Sequence, residues 1–272
     1  MSDTAATADE ADAPDKVLYA VANHVARITI NRPERYNAFD ADTCEQLIVA
    51  FRRASADRDV RVVVLTGAGE KAFCTGGDQS GGHDGGYGGR GVIGLPIEEL
   101  QSAIRDCDRP VIARVDGYAI GGGNVLVTLC DLAIASDRAQ FGQAGPRVGS
   151  VDPGFGTALL ARVVGEKKAR EIWYLCRRYT ADQALAMGLV NAVVAADQLD
   201  AEVDQWCAEI AGMSPTAISF AKRSFNADTE SIRGIGSLAM QGLALYYGTA
   251  ESKEGGDALR EKRPPDFGKF LG

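Results

Sequence analysis

The sequence contains few of the residues that build metal sites. Histidine occurs only at positions 24 and 83, and the six cysteines show no C-x-x-C spacing and lie mostly within apolar segments. This pattern disfavours a site with several histidine ligands and favours buried free thiols over disulfides. We therefore expect no metal and no tightly bound cofactor.

Long apolar runs and an excess of positive charge are also missing. No run approaches the roughly 20 apolar residues of a membrane-spanning helix, and no basic segment precedes a short apolar one as in a signal peptide. The net charge of −8 disfavours a nucleic-acid partner. Because 46% hydrophobic and 24% charged residues are ordinary for a globular domain, we expect a cytoplasmic protein with neither a membrane nor a nucleic-acid partner.

The chain divides into three regions by pattern. Residues 1–16 are rich in Ala, Asp and Thr without apolar periodicity, which predicts a disordered leader. Residues 17–200 combine the two-residue periodicity of strands with the 3.6-residue periodicity of helices, which predicts an α/β core. Residues 201–272 have a helical pattern and could reach a neighbouring subunit. The predicted strands are 17–21, 25–31 (paired through an Ala22-Asn23 turn), 60–66, 111–116, 132–136, 139–143 and 190–194. The predicted helices are 40–56 (with an Asp42/Glu45 N-terminal box), 96–107, 155–164, 166–176, 180–187, 197–211, 215–225 and 231–247.

Two glycine-rich turns each follow a predicted strand. They are KAFCTGGD at 71–78 and GYAIGGGN at 117–124, and the second leads into the apolar run VLVTLC, which predicts a buried helix. Glycine lets a ligand approach the backbone, and a helix start presents free N–H groups to an oxygen that becomes negative. We expect an oxyanion hole that combines one N–H from Gly77 with one from Gly122. Tight helix packing is the alternative explanation of these glycines.

The string GAGEKA after the strand at 60–66 matches part of a dinucleotide-binding fingerprint. Such a turn must open a helix, and FCTGGDQSGGHDGGYGG cannot form one, so we reject a dinucleotide site. Residues 76–94 instead predict a mobile loop, which carries His83 and Tyr87 and either closes over a ligand or is simply a flexible surface segment.

The two turns, followed by CDLAIAS and FGQ, resemble the signature of the crotonase (enoyl-CoA hydratase/isomerase) superfamily over about residues 17–270. The resemblance implies a crotonase-like (ββα) spiral core with a helical C-terminal trimerisation region. It also implies an acyl-CoA thioester substrate, whose enolate Gly77 and Gly122 would stabilise. Members that this chain resembles are homotrimers or hexamers built as dimers of trimers.

The two glutamates that add water in hydratases of this superfamily are absent. Their positions, two residues after the second glycine triplet and two after FGQ, are occupied by Val125 and Gly145. Neither residue transfers protons, so the sequence disfavours simple enoyl-CoA hydration.

The segment FGQAGPRVGSVDPG, with GGDQ and KKAREIWYLC, resembles a narrower subgroup. It contains 2-ketocyclohexanecarboxyl-CoA hydrolase, which opens a ring, and 1,4-dihydroxy-2-naphthoyl-CoA synthase, which closes one in menaquinone synthesis. GGGN in place of the synthase's GGGH, SVDPGFG, and the loop HDGGYGGRGVIGLPIEEL favour the hydrolase over the synthase. A third hypothesis is a non-catalytic acyl-CoA-binding homologue.

For ring opening, we expect Asp152, aided by Ser150, to orient or deprotonate a water molecule. Tyr87 would hydrogen-bond the ketone or the enolate oxygen, and His83 is a second candidate base. An aspartate before Pro-Gly is otherwise an ordinary turn residue.

Further roles follow only from the resemblance. Gln143, Gly145 and Trp173 match residues that surround a bicarbonate in the synthases, and Tyr247 matches a C-terminal tyrosine that completes the site, in some cases across a subunit boundary. Core packing is the alternative for Gln143, Trp173 and Tyr247. Candidates for contacts with CoA or substrate are Arg35, Lys71, Asp78, Gln79 and the basic tail KRPPDFGKF.

Overall fold

A computed structural model describes residues 15–80 and 86–271 of the chain. Two sheets form the core, and helices cover them and fill the C-terminal third. The strands are β1 (Val17–Ala22), β2 (Val25–Ile30), β3 (Val62–Gly67), β4 (Ala72–Cys74), β5 (Val111–Val115), β6 (Tyr118–Ile120), β7 (Leu132–Ser136), β8 (Gln140–Gly142), β9 (Tyr179–Thr180) and β10 (Ala192–Val194). The helices are α1 (Ala41–Ala56), α2 (Ile97–Arg105), α3 (Gly122–Leu129), α4 (Leu160–Val164), α5 (Glu166–Leu175), α6 (Ala181–Ala186), α7 (Leu199–Ala211), α8 (Pro215–Asp228), α9 (Ser231–Tyr247) and α10 (Ala250–Arg260).

The larger sheet has the order β1-β2-β3-β5-β7-β10 and is parallel except for the β1–β2 hairpin. Every residue of β3 is buried, as expected for a strand covered on both faces, which explains its unbroken apolar sequence. The hairpin turn lies one residue later than predicted. Asn23 and His24 have φ values of 50° and 65°, and two positive φ angles suit a tight two-residue turn.

Of the smaller sheet, β4-β6-β8-β9, only β8 was predicted as a strand, because β4, β6 and β9 have only two or three residues. β4, β6 and β8 are parallel and follow β3, β5 and β7, so the chain passes repeatedly from the larger sheet to the smaller one. Cys74, the last residue of β4, pairs with Ala119, the middle residue of the parallel strand β6, so the two strands end close together. The two glycine turns therefore leave the same edge of this sheet side by side.

Three helix predictions need correction. Asp40, not the Asp42/Glu45 pair, caps α1, because its Oδ1 accepts the Thr43 N–H at 2.8 Å. The predicted helix over 155–164 is a π-helical turn, Phe155–Leu159, followed by α4. α10 was missed because its sequence contains two adjacent glycines, yet Gly255 packs so closely that a Cβ there would lie 2.3 Å from the Gly149 nitrogen.

One large apolar core holds the two sheets against α1, α2 and α3, with Phe51, Phe73 and Phe141 among its fully buried side chains. All six cysteines are free thiols, and five of them are buried. Among the described residues, no group of three or more potential ligands is placed to hold a metal ion. Within the same ranges, no helix combines the length and apolarity needed to cross a membrane.

Candidate active site

A cavity of about 770 Å³ opens where the two glycine turns meet. Its walls come from these turns, the end of the glycine-rich loop, the segment after β8, α5 and α9. Among its lining residues are most of the predicted site residues, namely Arg35, Gly77, Asp78, Gln79, Tyr87, Gly122, Gln143, Gly145, Ser150, Asp152, Trp173 and Tyr247. Lys71 is not among them, because it lies exposed at the start of β4. His83 falls outside the described residues.

The two glycine turns are in direct contact. A Cβ on Gly76, whose φ is 87°, would lie 2.7 Å from the Gly122 nitrogen. Gly122 is the first residue of α3, so its N–H has no partner within the helix. Phe39 bonds to the Gly76 carbonyl and the Asp78 N–H, which flank Gly77. The Gly77 N–H therefore points away from Phe39.

Tyr87 covers the Gly77 turn. Its hydroxyl accepts a hydrogen bond from Gln79 Nε2 at 2.8 Å, and a Cβ on Gly77 would lie only 2.6 Å from the same oxygen. Burial raises the pKa of the Tyr87 phenol, so at neutral pH the hydroxyl keeps its proton and can donate a hydrogen bond.

The described end of the glycine-rich loop, residues 86–94, is linked to the rest of the fold by hydrogen bonds and ion pairs. Tyr87 N–H bonds to the Ile93 carbonyl at 2.9 Å. Arg90 forms salt bridges to Glu45 of α1 and Glu99 of α2. The sequence prediction did not foresee these long-range ion pairs, which anchor the segment that presents Tyr87.

Asp152 lies half-buried in the cavity wall. Its Oδ1 accepts the Gly156 N–H at 3.2 Å, and Gln101 Nε2 lies 3.2 Å from Oδ2 and 3.4 Å from Oδ1. Burial raises its pKa to about 7, outweighing the opposite effect of these uncharged donors. The carboxyl group can therefore both accept and release a proton near neutral pH.

Ser150 and Tyr247 form a hydrogen-bonded pair beside this carboxyl group. Ser150 Oγ lies 2.7 Å from Tyr247 Oη, and the Tyr247 ring meets the Tyr87 ring edge-on at 6.4 Å between centroids. Tyr247 is 2% exposed and its pKa is raised by burial, so it is a neutral hydrogen-bonding group at pH 7. α9 of the same chain supplies this tyrosine, whereas the resemblance had allowed for a neighbouring subunit.

The three residues expected around a bicarbonate line the cavity, but the indole N–H of Trp173 already has a hydrogen-bond acceptor within the protein. Its indole Nε1 donates to the Gly156 carbonyl at 2.5 Å. Gly145 has little free space, since a Cβ there would lie 2.6 Å from the Ser150 carbonyl oxygen and 2.8 Å from the indole ring. Gln143 Nε2 is buried without a hydrogen-bond partner in the described part of the chain. Trp173 would therefore have to release Gly156 to donate to an anion, whereas Gln143 Nε2 has a donor to offer.

Asp78 also lines the cavity but is tied to a cation. Its carboxylate bonds to Arg32 at 2.8 Å. Burial by itself would raise the pKa of Asp78, yet hydrogen bonds from Ser80 and Arg32 lower it overall. Asp78 therefore remains ionised, so it cannot act as Asp152 can.

Two exposed arginines complete the lining. Arg35 lies in the short 3₁₀ turn before α1, and the Arg178 guanidinium stacks 5.0 Å from the centroid of the Tyr118 ring. A guanidinium group is suited to anionic ligands, and Arg178 was not predicted as a site residue.

Gln101 is the second residue that the sequence analysis missed. The only signal was its position on α2, where it follows Ile97 and Leu100 and precedes Ile104 on the buried face. A polar residue at such a position needs a buried partner, and here that partner is Asp152.

Comparison with known proteins agrees with this architecture. The family model described as enoyl-CoA hydratase/isomerase matches residues 20–269. An enoyl-CoA hydratase from Mycobacterium avium subsp. paratuberculosis K-10 is 31% identical, with a TM-score of 0.83 over 93% of this chain and 98% of that one. An enoyl-CoA hydratase/isomerase from Pseudoalteromonas atlantica T6c is 29% identical, with a TM-score of 0.84 over 93% and 100%. An enoyl-CoA hydratase/carnithine racemase from Magnetospirillum magneticum is 32% identical, with a TM-score of 0.74 over 94% and 96%. The chain therefore belongs to the enoyl-CoA hydratase/isomerase family, the crotonase superfamily, whose members are mostly enzymes that act on acyl-CoA thioesters.

Proposed function

We propose that this protein hydrolyses a carbon–carbon bond of a cyclic β-keto acyl-CoA and thereby opens the ring, as in the conversion of 2-ketocyclohexanecarboxyl-CoA to pimeloyl-CoA. The observation that carries the proposal is the position of Asp152. Its carboxyl group, with a pKa of about 7, faces the cavity into which the two glycine turns project. The site thus combines a proton carrier with donors for an enolate, while the two hydratase glutamates are replaced by Val125 and Gly145.

In the proposed mechanism, the N–H groups of Gly77 and Gly122 bind the thioester oxygen. Asp152 takes a proton from water, and the hydroxide adds to the ring ketone carbon. When the tetrahedral intermediate collapses, the bond between this carbon and the α-carbon breaks. The electron pair passes to the α-carbon as a thioester enolate, which regains a proton from Asp152. The former ketone carbon becomes a carboxyl group, so the overall reaction consumes one water molecule.

Two phenols and a hydroxyl surround the position of the reacting oxygens. Tyr87 and Tyr247 carry their protons at neutral pH because burial raises both pKa values. Tyr87 lies against Gly77, so we assign it to the enolate oxygen, and the Ser150–Tyr247 pair to the ketone oxygen or the water. Preorganised neutral donors suit an oxygen that gains charge only in the transition state.

The acyl end of the cavity favours an uncharged ring. The residues that line the cavity include the apolar side chains Phe39, Ile93, Leu95, Ile97, Met240 and Leu243, and we assign these to the wall around the acyl group. The described cations in the lining, Arg35 and Arg178, are both exposed and are suited to CoA phosphates. The runner-up, the ring-closing synthase, acts on succinylbenzoyl-CoA, whose free carboxylate would need a partner deeper in the site.

The test is mass spectrometry of products after separate incubation with 2-ketocyclohexanecarboxyl-CoA and succinylbenzoyl-CoA. A product heavier than the first substrate by one water molecule is the expected result, and Asp152→Asn should abolish it while retaining CoA-ester binding. Loss of water from the second substrate would establish the synthase instead. Tight binding without turnover of either would favour a non-catalytic acyl-CoA-binding protein.

A bicarbonate ion is the alternative base. Because Trp173 already donates to Gly156, we expect the turnover rate at fixed pH to be the same in carbon dioxide-depleted buffer and in buffer with added bicarbonate. A rate that rises and saturates with bicarbonate would transfer the role of base from Asp152 to the anion.

We also propose that the protein assembles as a homotrimer or as a hexamer of two trimers. The C-terminal helices leave large apolar side chains exposed, among them Phe220, Phe225, Leu238 and Leu245, each at least 69% exposed. Such a set on one monomer is typical of a surface that another protein covers. Light scattering coupled to size exclusion should give a mass three or six times 28.7 kDa, and a monomer would refute assembly.

A further inference from the structure

α2 places one amide on its buried face. Gln101 is only 2% exposed and lies among apolar residues of that face. Its Nε2 lies within hydrogen-bonding distance of both Asp152 carboxyl oxygens, at 3.2 and 3.4 Å. Burying an amide is unfavourable unless it is hydrogen-bonded, so this residue is well explained by its contact with Asp152.

The hydrogen-bond donors to Asp152 differ in charge from those to Asp78, the other aspartate that lines the cavity. Arg32 pairs with Asp78 and keeps it ionised, whereas the donors to Asp152 are an amide and the Gly156 backbone N–H. A neutral donor fixes the orientation of a carboxyl group without locking it in the charged state. When Asp152 is protonated, Gln101 can still donate to its carbonyl oxygen.

Gln101 is also well placed to hold a fixed geometry. α2 begins directly after the loop that presents Tyr87, and it packs against α1 and α3. α3 starts at Gly122. α2 therefore links the position of the Asp152 carboxyl group both to the loop that presents Tyr87 and to α3, which begins at Gly122.

We propose that Gln101 is the positioning residue of Asp152: it aims the carboxyl group into the cavity and stabilises its ionised form enough for it to act as a base near neutral pH. The inference rests on the proposed function of Asp152. It predicts that removing the amide raises the pH at which Asp152 loses its proton.

The experiment is a direct titration of Asp152 in full-length protein labelled with ¹³C at the aspartate carboxyl carbons. The Asp152 resonance is identified as the one missing from Asp152→Asn. Gln101→Met keeps the size but removes the donor, so the midpoint should rise by about one pH unit. Gln101→Glu is isosteric and adds a competing carboxyl group, so the midpoint should rise further. The acidic limb of the kcat profile for ring opening should move in the same order.

The matched control is Gln46→Met, because Gln46 Nε2 also bonds to a carboxylate, Asp42, at 3.3 Å but outside the cavity. This variant should leave the Asp152 midpoint and the kcat profile unchanged. If either Gln101 variant folds, as judged by circular dichroism, and its Asp152 midpoint equals that of the wild type, the inference is overturned. The titration needs no turnover, so a failure of the ring-opening assay would refute the proposed function without deciding the role of Gln101.

Discussion

The raised pKa of Asp152 should cost the protein stability at neutral and alkaline pH, and Asp152→Asn should recover it. The ordinary pKa is 3.8 and burial raises it to about 7. One pKa unit is worth about 1.4 kcal/mol, so a shift of roughly three units corresponds to about 4 kcal/mol. Water in the cavity screens a half-buried carboxylate, and we expect about 2–4 kcal/mol.

The sign follows from the order of ionisation. Well below pH 3.8 the carboxyl group is protonated in both states and costs nothing. Between this value and about 7, the unfolded chain releases the proton first, so the stability of the wild type falls as the pH rises. Above that range both states are ionised and the cost is constant. The neutral asparagine has the same size and escapes this loss.

The assay is urea unfolding of the wild type and Asp152→Asn at several pH values between about 4.5 and 8.5, at one protein concentration because subunit assembly contributes to stability. The free energy of unfolding of the variant, minus that of the wild type, should grow by most of the 2–4 kcal/mol across this range. Turnover should fall at least about 100-fold.

The control is Asp197→Asn, an exposed aspartate before α7, which should show no comparable growth with pH. If the difference in free energy of unfolding between Asp152→Asn and wild type does not change with pH, Asp152 ionises normally and the reasoning from its burial is refuted.

Two further changes test the site and the scaffold. Gly77→Ala would place a Cβ 2.6 Å from the Tyr87 hydroxyl, so kcat should fall about 10²–10³-fold. The control is Gly234→Ala, which has open space around it and should not reduce turnover. Equal kcat values for wild type and Gly77→Ala would contradict the oxyanion role. Lys222 is 7% exposed and its Nζ donates to Asp131 at 2.7 Å. Lys222→Met should therefore lower the free energy of unfolding in urea by about 3–5 kcal/mol, and adding Asp131→Asn should restore part of it. An unchanged free energy of unfolding in Lys222→Met would show that the pair does not stabilise the protein.

Predictions from local sequence succeeded where a residue's own neighbours decide its structure. The unbroken apolar run of β3 and the 3.6-residue spacing of α2 gave the correct element types. β4 and β6 were missed because strands of three residues carry almost no periodicity and depend on pairing across the sheet. The capping residue of α1 was misplaced by two positions, because both Asp40 and Asp42 have suitable side chains and only the backbone angles distinguish them.

The candidate site shows the same division. Gly77, Gly122, Ser150, Asp152 and Tyr247 were proposed from motifs and all line the cavity. Lys71 was included because of its charge and proximity in sequence, yet the chain direction at β4 leaves it outside. Gln101 was missed because it is 51 residues from Asp152 in sequence and belongs to no motif.

By itself, the sequence determined the family, through glycine turns and motifs whose order needs no coordinates, and it has Val125 and Gly145 at the positions where the resemblance expects the hydratase glutamates. Only the tertiary structure decided which carboxyl group can exchange a proton. Asp78 and Asp152 are both aspartates that line the cavity, but Arg32 keeps one ionised, while burial raises the pKa of the other more than its uncharged donors lower it. Ionisation depends on solvent and charge within a few ångströms, and folding brings those groups together from distant parts of the chain.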